Sequence, residues 1–217
     1  YTRWLFNTIM YAVVAGVGAT IIATFAGYAI ATMRFPGRNA LLAVTLAFMS
    51  IPSTVITVPL FLMYSKIGLV GTPWAVIIPQ LATPFGLYLM IIYAQTSIPV
   101  SLIEAAKLDG ASTWTIFWKV GFPLLSPGFV TVLLFTLVGV WNNYFLPLIM
   151  LSDTNDYPLT VGLNMWLKMG AQGTANGQVP NNLIITGSLI AVVPLIIAFM
   201  FLQKYWQSGL AAGSVKQ

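Results

Sequence analysis

The chain of 217 residues is 59% hydrophobic and 6% charged, with a mean hydropathy of +0.90. Soluble domains carry about 25% charged residues, so this is the composition of an integral membrane protein. Cysteine and histidine are absent, which excludes disulfide staples, thiol chemistry and histidine-based metal sites. The net charge of +5 is poor evidence for nucleic-acid binding, because the basic residues sit between hydrophobic runs.

Five apolar runs are long enough to cross a bilayer, which takes about 20 helical residues. They cover approximately Leu5–Thr32, Leu41–Tyr64, Trp74–Ala94, Leu124–Met150 and Leu183–Tyr205. Backbone groups find no water in hydrocarbon, so these runs are predicted to be helices. The two-residue alternation of a membrane β-barrel is absent. Pro52, Pro59, Pro79, Pro84, Pro147 and Pro194 lie in or near the runs, and each is expected to bend its helix by removing an amide donor. In the first run Ala15, Ala19, Ala23, Gly27 and Ala31 recur every four residues, with Gly16, Thr20 and Thr24 on the adjoining ridge. Small residues at that spacing allow close helix packing in lipid, inside the chain or against a partner subunit.

Basic residues set the orientation. Alternation of the runs places Arg34, Arg38, Lys107, Lys119, Lys204 and Lys216 on one side, and Arg3, Lys66 and Lys168 on the other with Asp153 and Asp156. The richer side is predicted to be cytoplasmic, which puts the C-terminus inside and Tyr1 outside. No cleavable signal pattern stands at Tyr1. An outside start therefore predicts an earlier membrane helix and a parent of six helices.

Between the third and fourth runs, Ser97–Pro123 is polar enough to leave the membrane. Ser101-x-x-Glu104 reads as a capping box at a helix start, and Asp109-Gly110 as its stop. The short helix between them would offer Leu102, Ile103, Ala105, Ala106 and Leu108. A second short helix, about Thr113–Val120, carries Trp114, Phe117 and Trp118, residue types suited to the membrane–water boundary. On local pattern alone, an interfacial hairpin with no partner fits equally.

Trp141-Asn142-Asn143-Tyr144 is the most polar cluster in any predicted span. At about 1.5 Å per helical residue, Asn142 lies roughly 27 Å beyond Leu124, in the outer half of the membrane. Carboxamides donate and accept, and flat rings cover the apolar face of a sugar, so the cluster suits a hydroxyl-rich solute. Interhelical hydrogen bonding is the other reading. No span carries Asp, Glu, Lys or Arg in its interior, which argues against ion-coupled transport. The chain also lacks a G-x-x-x-x-G-K-[ST] phosphate loop, so it does not hydrolyse ATP by that route. The outer connection over 151–182 is long for a helix bundle. Its Lys168–Pro180 portion, rich in Gly, Gln and Asn, has little reason to fold alone.

The pattern Glu104-Ala105-Ala106, Gly110, Val120, Phe122 and Pro123 resembles the cytoplasmic signature loop of ABC importer permeases, with Val120 and Phe122 in place of the commoner Ile and Leu. The turn Met33-Arg34-Phe35-Pro36-Gly37-Arg38 and the tail Gly209-Leu210-Ala211-Ala212-Gly213-Ser214-Val215-Lys216 resemble the carbohydrate-importing, maltose-type inner-membrane permeases. The resemblance implies an all-α, polytopic permease bundle in the cytoplasmic membrane. It would form a single transmembrane domain over 1–217, with 98–123 as a cytoplasmic coupling loop and 151–182 outside.

It further implies that Ile103–Leu108 forms a coupling helix seated in a cleft of a cytoplasmic ATPase. Ile103, Glu104, Ala105, Ala106, Leu108, Gly110 and Pro123 would then serve coupling, with Glu104 facing a basic residue of that subunit. ATP and magnesium would belong to the ATPase, with no cofactor in this chain. The implied partners are a second similar permease, two ATPase subunits and an extracytoplasmic solute-binding protein. Trp141, Asn142, Asn143 and Tyr144 would line the substrate path, although Asn143 stands where an acid is common. Lys168, Met169, Gly170, Gln172, Gly173 and Asn176 would reach the binding protein; a plain connector is the other reading. The expected cargo is a carbohydrate, with a polyol, a phosphorylated glycerol or another small polar solute as the near alternative. An ion-coupled secondary transporter and a purely structural membrane subunit are the distant ones.

Overall fold

The computed structural model describes residues 1–171 and 181–214, and among these it is helical, with no strand. The helices are α1 (Thr2–Thr32), α2 (Arg38–Met49), α3 (Ser53–Lys66), α4 (Trp74–Gln80), α5 (Pro84–Ser97), α6 (Val100–Leu108), α7 (Thr113–Ile116), α8 (Phe122–Trp141), α9 (Phe145–Met150), α10 (Leu159–Ala171) and α11 (Asn181–Ser214). A π-helical turn, Phe117–Gly121, joins α7 to α8. Four stretches among the described residues are long and apolar enough to cross a membrane, and the pair α2–α3 makes a fifth if it counts as one span.

Several boundaries differ from the sequence reading. The second run is two helices bent by 104° at Ser50–Pro52, where Pro52 lacks an amide and starts α3. The third run is interrupted between Gln80 and Pro84, with Pro84 in the first turn of α5. The fourth run ends at Trp141, breaks over Asn142–Tyr144, and resumes as α9. The expected short helix over Thr113–Val120 is not separate: α7 and the π turn lead directly into α8, and Thr113–Trp141 forms one candidate span. Pro123 explains the π turn. Its ring would collide with the Lys119 carbonyl of a regular helix, and the wider turn before it relieves that contact. The outer connection also contains more structure than expected, because α10 occupies Leu159–Ala171.

The chain divides into two compact units. The first comprises Tyr1–Gly16, Pro52–Gln80 and Leu137–Phe201. Its core gathers Tyr11, Ala15, Tyr64, Ala75, Val76, Ile77, Leu146, Met150 and Leu151, and α9 packs on α3 and α4. One polar face of α1 ties down the loop after α9. Trp4 Nε1 donates to the Thr154 carbonyl (2.9 Å), Asn7 Nδ2 to the carbonyls of Asn155 and Tyr157 (2.6 and 3.1 Å), and Tyr11 OH to that of Asp156 (2.8 Å). Thr8 Oγ1 accepts the Leu159 amide at 2.8 Å. A loop with unpaired carbonyls is costly away from water, and these side chains satisfy it.

The second unit comprises Val17–Ile51, Leu81–Thr136 and the chain from Leu202. Its core joins Ala23, Tyr28, Met90, Ala94, Ile98, Ile103, Ile116, Phe117, Leu125 and Val132. Phe25, Tyr28, Trp114, Phe117, Trp118 and Phe122 form a run of stacked and edge-on rings across it. Phe117 is therefore a core residue, while Trp114 and Trp118 are exposed as expected of boundary residues. The cations assigned above to opposite membrane sides separate by unit: Arg34, Arg38, Lys107 and Lys119 fall in the second, and Arg3, Lys66 and Lys168 in the first with Asp153 and Asp156.

The small-residue stripe of α1 packs inside the chain rather than waiting for a partner. Ala15, Ala19 and Ala23 are buried, and Thr20 Oγ1 lies 3.0 Å from Thr136 Oγ1. A Cβ on Gly27 would stand 2.6 Å from Met90 Cβ and 3.0 Å from the Met90 carbonyl carbon. Backbone cannot give way as a flexible side chain can. Gly27→Ala is therefore expected to destabilise by about 1–3 kcal/mol. A lowered melting midpoint of the detergent-solubilised protein checks this; an unchanged midpoint would show that α1 and α5 are not so closely packed.

Candidate functional site

Two sites emerge, one in each unit. In the second unit, α6 begins at Pro99, whose φ of −63° and ψ of 133° set the entry, and no side chain caps it. The expected capping box is thus corrected. Ser101 lies inside the first turn because Pro99 starts the helix two residues earlier, which leaves Glu104 exposed with no capping duty. The hydroxyl of Ser112 provides a cap instead for α7, accepting the Thr115 amide at 3.2 Å.

The expected stop at Asp109-Gly110 is present in full. Ala111 N donates to Ala106 O and Gly110 N to Lys107 O, both at 3.0 Å, with Gly110 at φ +77°. That is the paired closure of a Schellman motif, which requires the left-handed residue that glycine supplies without strain. Ile103, one helical turn from Ala106, is buried in the unit's own core, and Ala106 packs against the same core. Glu104, Ala105, Lys107 and Leu108 are exposed, with Glu104, Ala105 and Leu108 turned away from Ile103. Leu108 is 90% exposed, and Glu104 forms no ion pair among the described residues. The residues named for coupling therefore divide into three groups. Ile103 and Ala106 anchor the helix, Gly110 and Pro123 shape the chain around it, and Glu104, Ala105 and Leu108 remain available to a partner. Gly121, between Val120 and Phe122 of that pattern, faces the Tyr28 ring, where a Cβ would come within 2.7 Å of it.

In the first unit, the four residues Trp141–Tyr144 stand at the break between α8 and α9. The break is held from several directions. Asn143 Nδ2 donates to Gln80 Oε1 (3.0 Å), and Thr160 Oγ1 donates to the Asn143 carbonyl (2.8 Å). Asn143 Oδ1 accepts the Leu146 amide at 3.4 Å, opening α9. Tyr144 OH donates to Asn164 Oδ1 (3.0 Å), and Gln80 Nε2 is itself fixed on the Val76 carbonyl (2.9 Å). Asn142 differs from its neighbour. It is exposed, its amide nitrogen donates back to the Val138 carbonyl at 2.9 Å, and its side-chain oxygen has no partner among the described residues. The ring of Trp141 beside it is half-buried.

Gln80, Thr160 and Asn164 were missed by sequence reasoning. The available signals were a lone amide in an apolar run ahead of Pro84, and Thr160 and Asn164 four residues apart on one face of α10. The other face of α10 packs inward, with Gly162 against the Trp4 ring and Trp166 5.0 Å from it. Lys168, Met169 and Gly170 form the last turn of α10, which corrects their reading as loop, and Lys168 and Met169 are exposed. Gln172, Gly173 and Asn176 lie outside the described residues.

Comparison with known proteins gives a consistent result. Residues 5–211 match the family described as binding-protein-dependent transport system inner membrane component. The arabinooligosaccharides transport system permease protein AraQ of Halalkalibacterium halodurans is 32% identical over 216 residues, covering 100% of this chain and 75% of AraQ. The osmoprotective compounds uptake permease protein GgtD of Synechocystis is 35% identical over 213 residues, 97% of this chain and 69% of GgtD. Among solved structures, a bacterial ABC transporter involved in import of the acidic polysaccharide alginate aligns with a TM-score of 0.80 at 29% identity, over 95% of this chain and 75% of the other.

The hydrogen-bond pattern separates two adjacent identical residues. Asn143→Ala strands Gln80 and removes the start of α9, a loss of about 1–3 kcal/mol. Asn142→Ala removes one exposed bond and is expected to leave the melting midpoint within about 0.5 kcal/mol of the parent. Equal destabilisation by both would contradict the assignment.

Proposed function

The chain belongs to the inner membrane components of binding-protein-dependent transport systems, and on that premise we propose that it is a permease subunit of an ATP-driven importer for a carbohydrate. The observation that carries the energetic half is α6: a short helix entered at Pro99 and closed by the turn at Gly110, anchored by Ile103 and Ala106, that exposes Leu108, Ala105 and Glu104. An exposed leucine beside an unpaired carboxylate on a rigid helix suits an apolar cleft rimmed by a basic residue. In this proposal that cleft belongs to a cytoplasmic ATPase subunit, which binds ATP and magnesium and performs the hydrolysis. Two such subunits, a second permease of similar fold and an extracytoplasmic solute-binding protein complete the assembly. Closure of the ATPase pair would move α6, and the membrane helices would switch between two packed arrangements.

The cargo assignment rests on AraQ and on the chemistry at Trp141–Tyr144. Asn142 offers a free carbonyl oxygen and Trp141 a flat apolar ring, a pairing that recognises sugar hydroxyls and the sugar face beneath them. Gln80, Asn143, Tyr144, Thr160 and Asn164 act as the frame that holds the break open at that point. A small polar osmolyte is the second reading, favoured by the likeness to GgtD, and the same carboxamide would serve it. The exposed end of α10, with Lys168 and Met169, leads into residues 172–180, proposed to touch the solute-binding protein.

Reconstitution in vesicles with ATPase and binding protein tests the reading directly. Solute added outside is expected to stimulate ATP hydrolysis and uptake; uptake driven by a proton gradient without ATP would refute it. Glu104→Lys and Leu108→Glu are expected to abolish ATPase co-purification while leaving the melting midpoint in place. Undiminished co-purification would remove α6 as the coupling element. Deletion of residues 172–180 is expected to lower uptake without loss of the ATPase, and unchanged uptake would show that this segment is only a connector.

A further inference from the structure

We propose that Arg34 and Arg38 hold a phosphate group, and that an anionic phospholipid headgroup supplies it. The site rests on the membrane reading of the chain and not on its cargo. The apolar helix α1 ends at Thr32, and α2 opens at Arg38, so both arginines stand at the end of a spanning helix. They line an open cavity of about 400 Å³ together with Phe35, Gly37, Asn39 and Ala40.

Three observations point to an anion there. The Nε of Arg38 is buried and has no hydrogen-bond partner, and the guanidinium reaches the Ala31 carbonyl only at 3.5 Å through Nη2. Neither arginine forms an ion pair among the described residues. The 12-residue helix α2 starts on Gly37 at φ 87° without a side-chain cap, which leaves its first-turn amides without a side-chain acceptor.

Two guanidinium groups with no carboxylate partner stand together at the end of a spanning helix, and a tetrahedral oxyanion would pair their charges. A phosphate oxygen pair matches the planar fork of arginine in two parallel hydrogen bonds, and the helix start adds partial positive charge. Clustered basic residues next to a membrane helix attract anionic headgroups, and phosphatidylglycerol presents its phosphate diester at the depth where a spanning helix ends. Phe35, half-buried in the same turn, supplies an apolar contact beside the charges.

The test is native mass spectrometry of the purified permease–ATPase complex, titrated with phosphatidylglycerol or phosphatidylcholine. Retention of phosphatidylglycerol over phosphatidylcholine is expected. Arg34→Gln and Arg38→Gln should each weaken it about fivefold. Arg38→Lys, which keeps the charge and lets the complex assemble, should lose nearly as much because an ammonium has no fork. Lys66→Gln, in the other unit, should change nothing. Equal retention of the two lipids, or wild-type retention by the glutamine variants, would overturn the site. Wild-type retention by Arg38→Lys would reduce it to unspecific charge and overturn it equally. Displacement of bound lipid by millimolar inorganic phosphate would keep the phosphate chemistry and overturn the lipid source. A cross-link from Arg38→Cys to the ATPase, without lipid preference, would replace the phosphate by a protein carboxylate.

Discussion

Hydrocarbon offers no hydrogen bonds, so every interruption of a spanning helix must be repaired by the protein itself. The break at Asn142–Tyr144 is the clearest case. The Asn142 amide returns to Val138, the Asn143 amide to Val140, the Asn143 carbonyl takes the Thr160 hydroxyl, and the Leu146 amide finds the Asn143 side chain. The interruption ahead of Pro84 is treated similarly, with Thr83 Oγ1 accepting the Gly86 amide at 3.1 Å. Outside the spans the same requirement binds the loop at 154–157 to Trp4, Asn7 and Tyr11. Gln80, Thr83, Asn143 and Thr160 are the polar side chains committed to the two repairs within the spans.

That accounting explains which parts of the fold were legible in the sequence. The spans were legible because length and hydropathy alone bound them. The stop at Gly110 was legible because a left-handed residue followed by a polar turn has few other uses. The start of α6 was misread because Ser101 and Glu104 have the spacing of a capping box, while Pro99 alone already fixes the backbone that opens a helix. The break at Asn142–Tyr144 escaped notice because its partners lie far along the chain: Gln80 is 63 residues from Asn143 and Thr160 is 17. No local pattern encodes such pairs, and only the packed structure brings them together.

The π turn at Phe117–Gly121 illustrates how a short signature can carry several physical duties. Gly121 has no room for a side chain against Tyr28, Pro123 demands the wider turn, and Phe117 and Phe122 lock the segment into the aromatic core. The exposed helix α6 and the spanning helix α8 are thus joined by a hydrogen-bonded turn at Gly110 and by a π turn whose Phe117 and Gly121 are buried. Within this unit, a displacement of α6 has a stiff route into α8, through Ile103 and Ala106 on the core and through the π turn along the chain. A flexible linker in that place would absorb such a displacement as local motion.

The pair Asn142–Asn143 shows why composition alone could not assign a solute site. Both residues are amides in an apolar run, and a sequence reading treats them alike. Asn143 spends its nitrogen on Gln80 and its side-chain oxygen on Leu146, so a solute would have to break the frame to engage it. Asn142 uses its nitrogen one turn back on its own helix and keeps its oxygen open. A hydroxyl donor can therefore bind Asn142 without disturbing the backbone repair, whereas recognition through Asn143 would be opposed by the loss of its own hydrogen bonds. In the proposed solute path the open acceptor is thus the Asn142 side-chain oxygen, one residue from Trp141, and it suits a neutral hydroxyl-bearing solute better than an anion. An anion would meet an amide oxygen where it needs a donor.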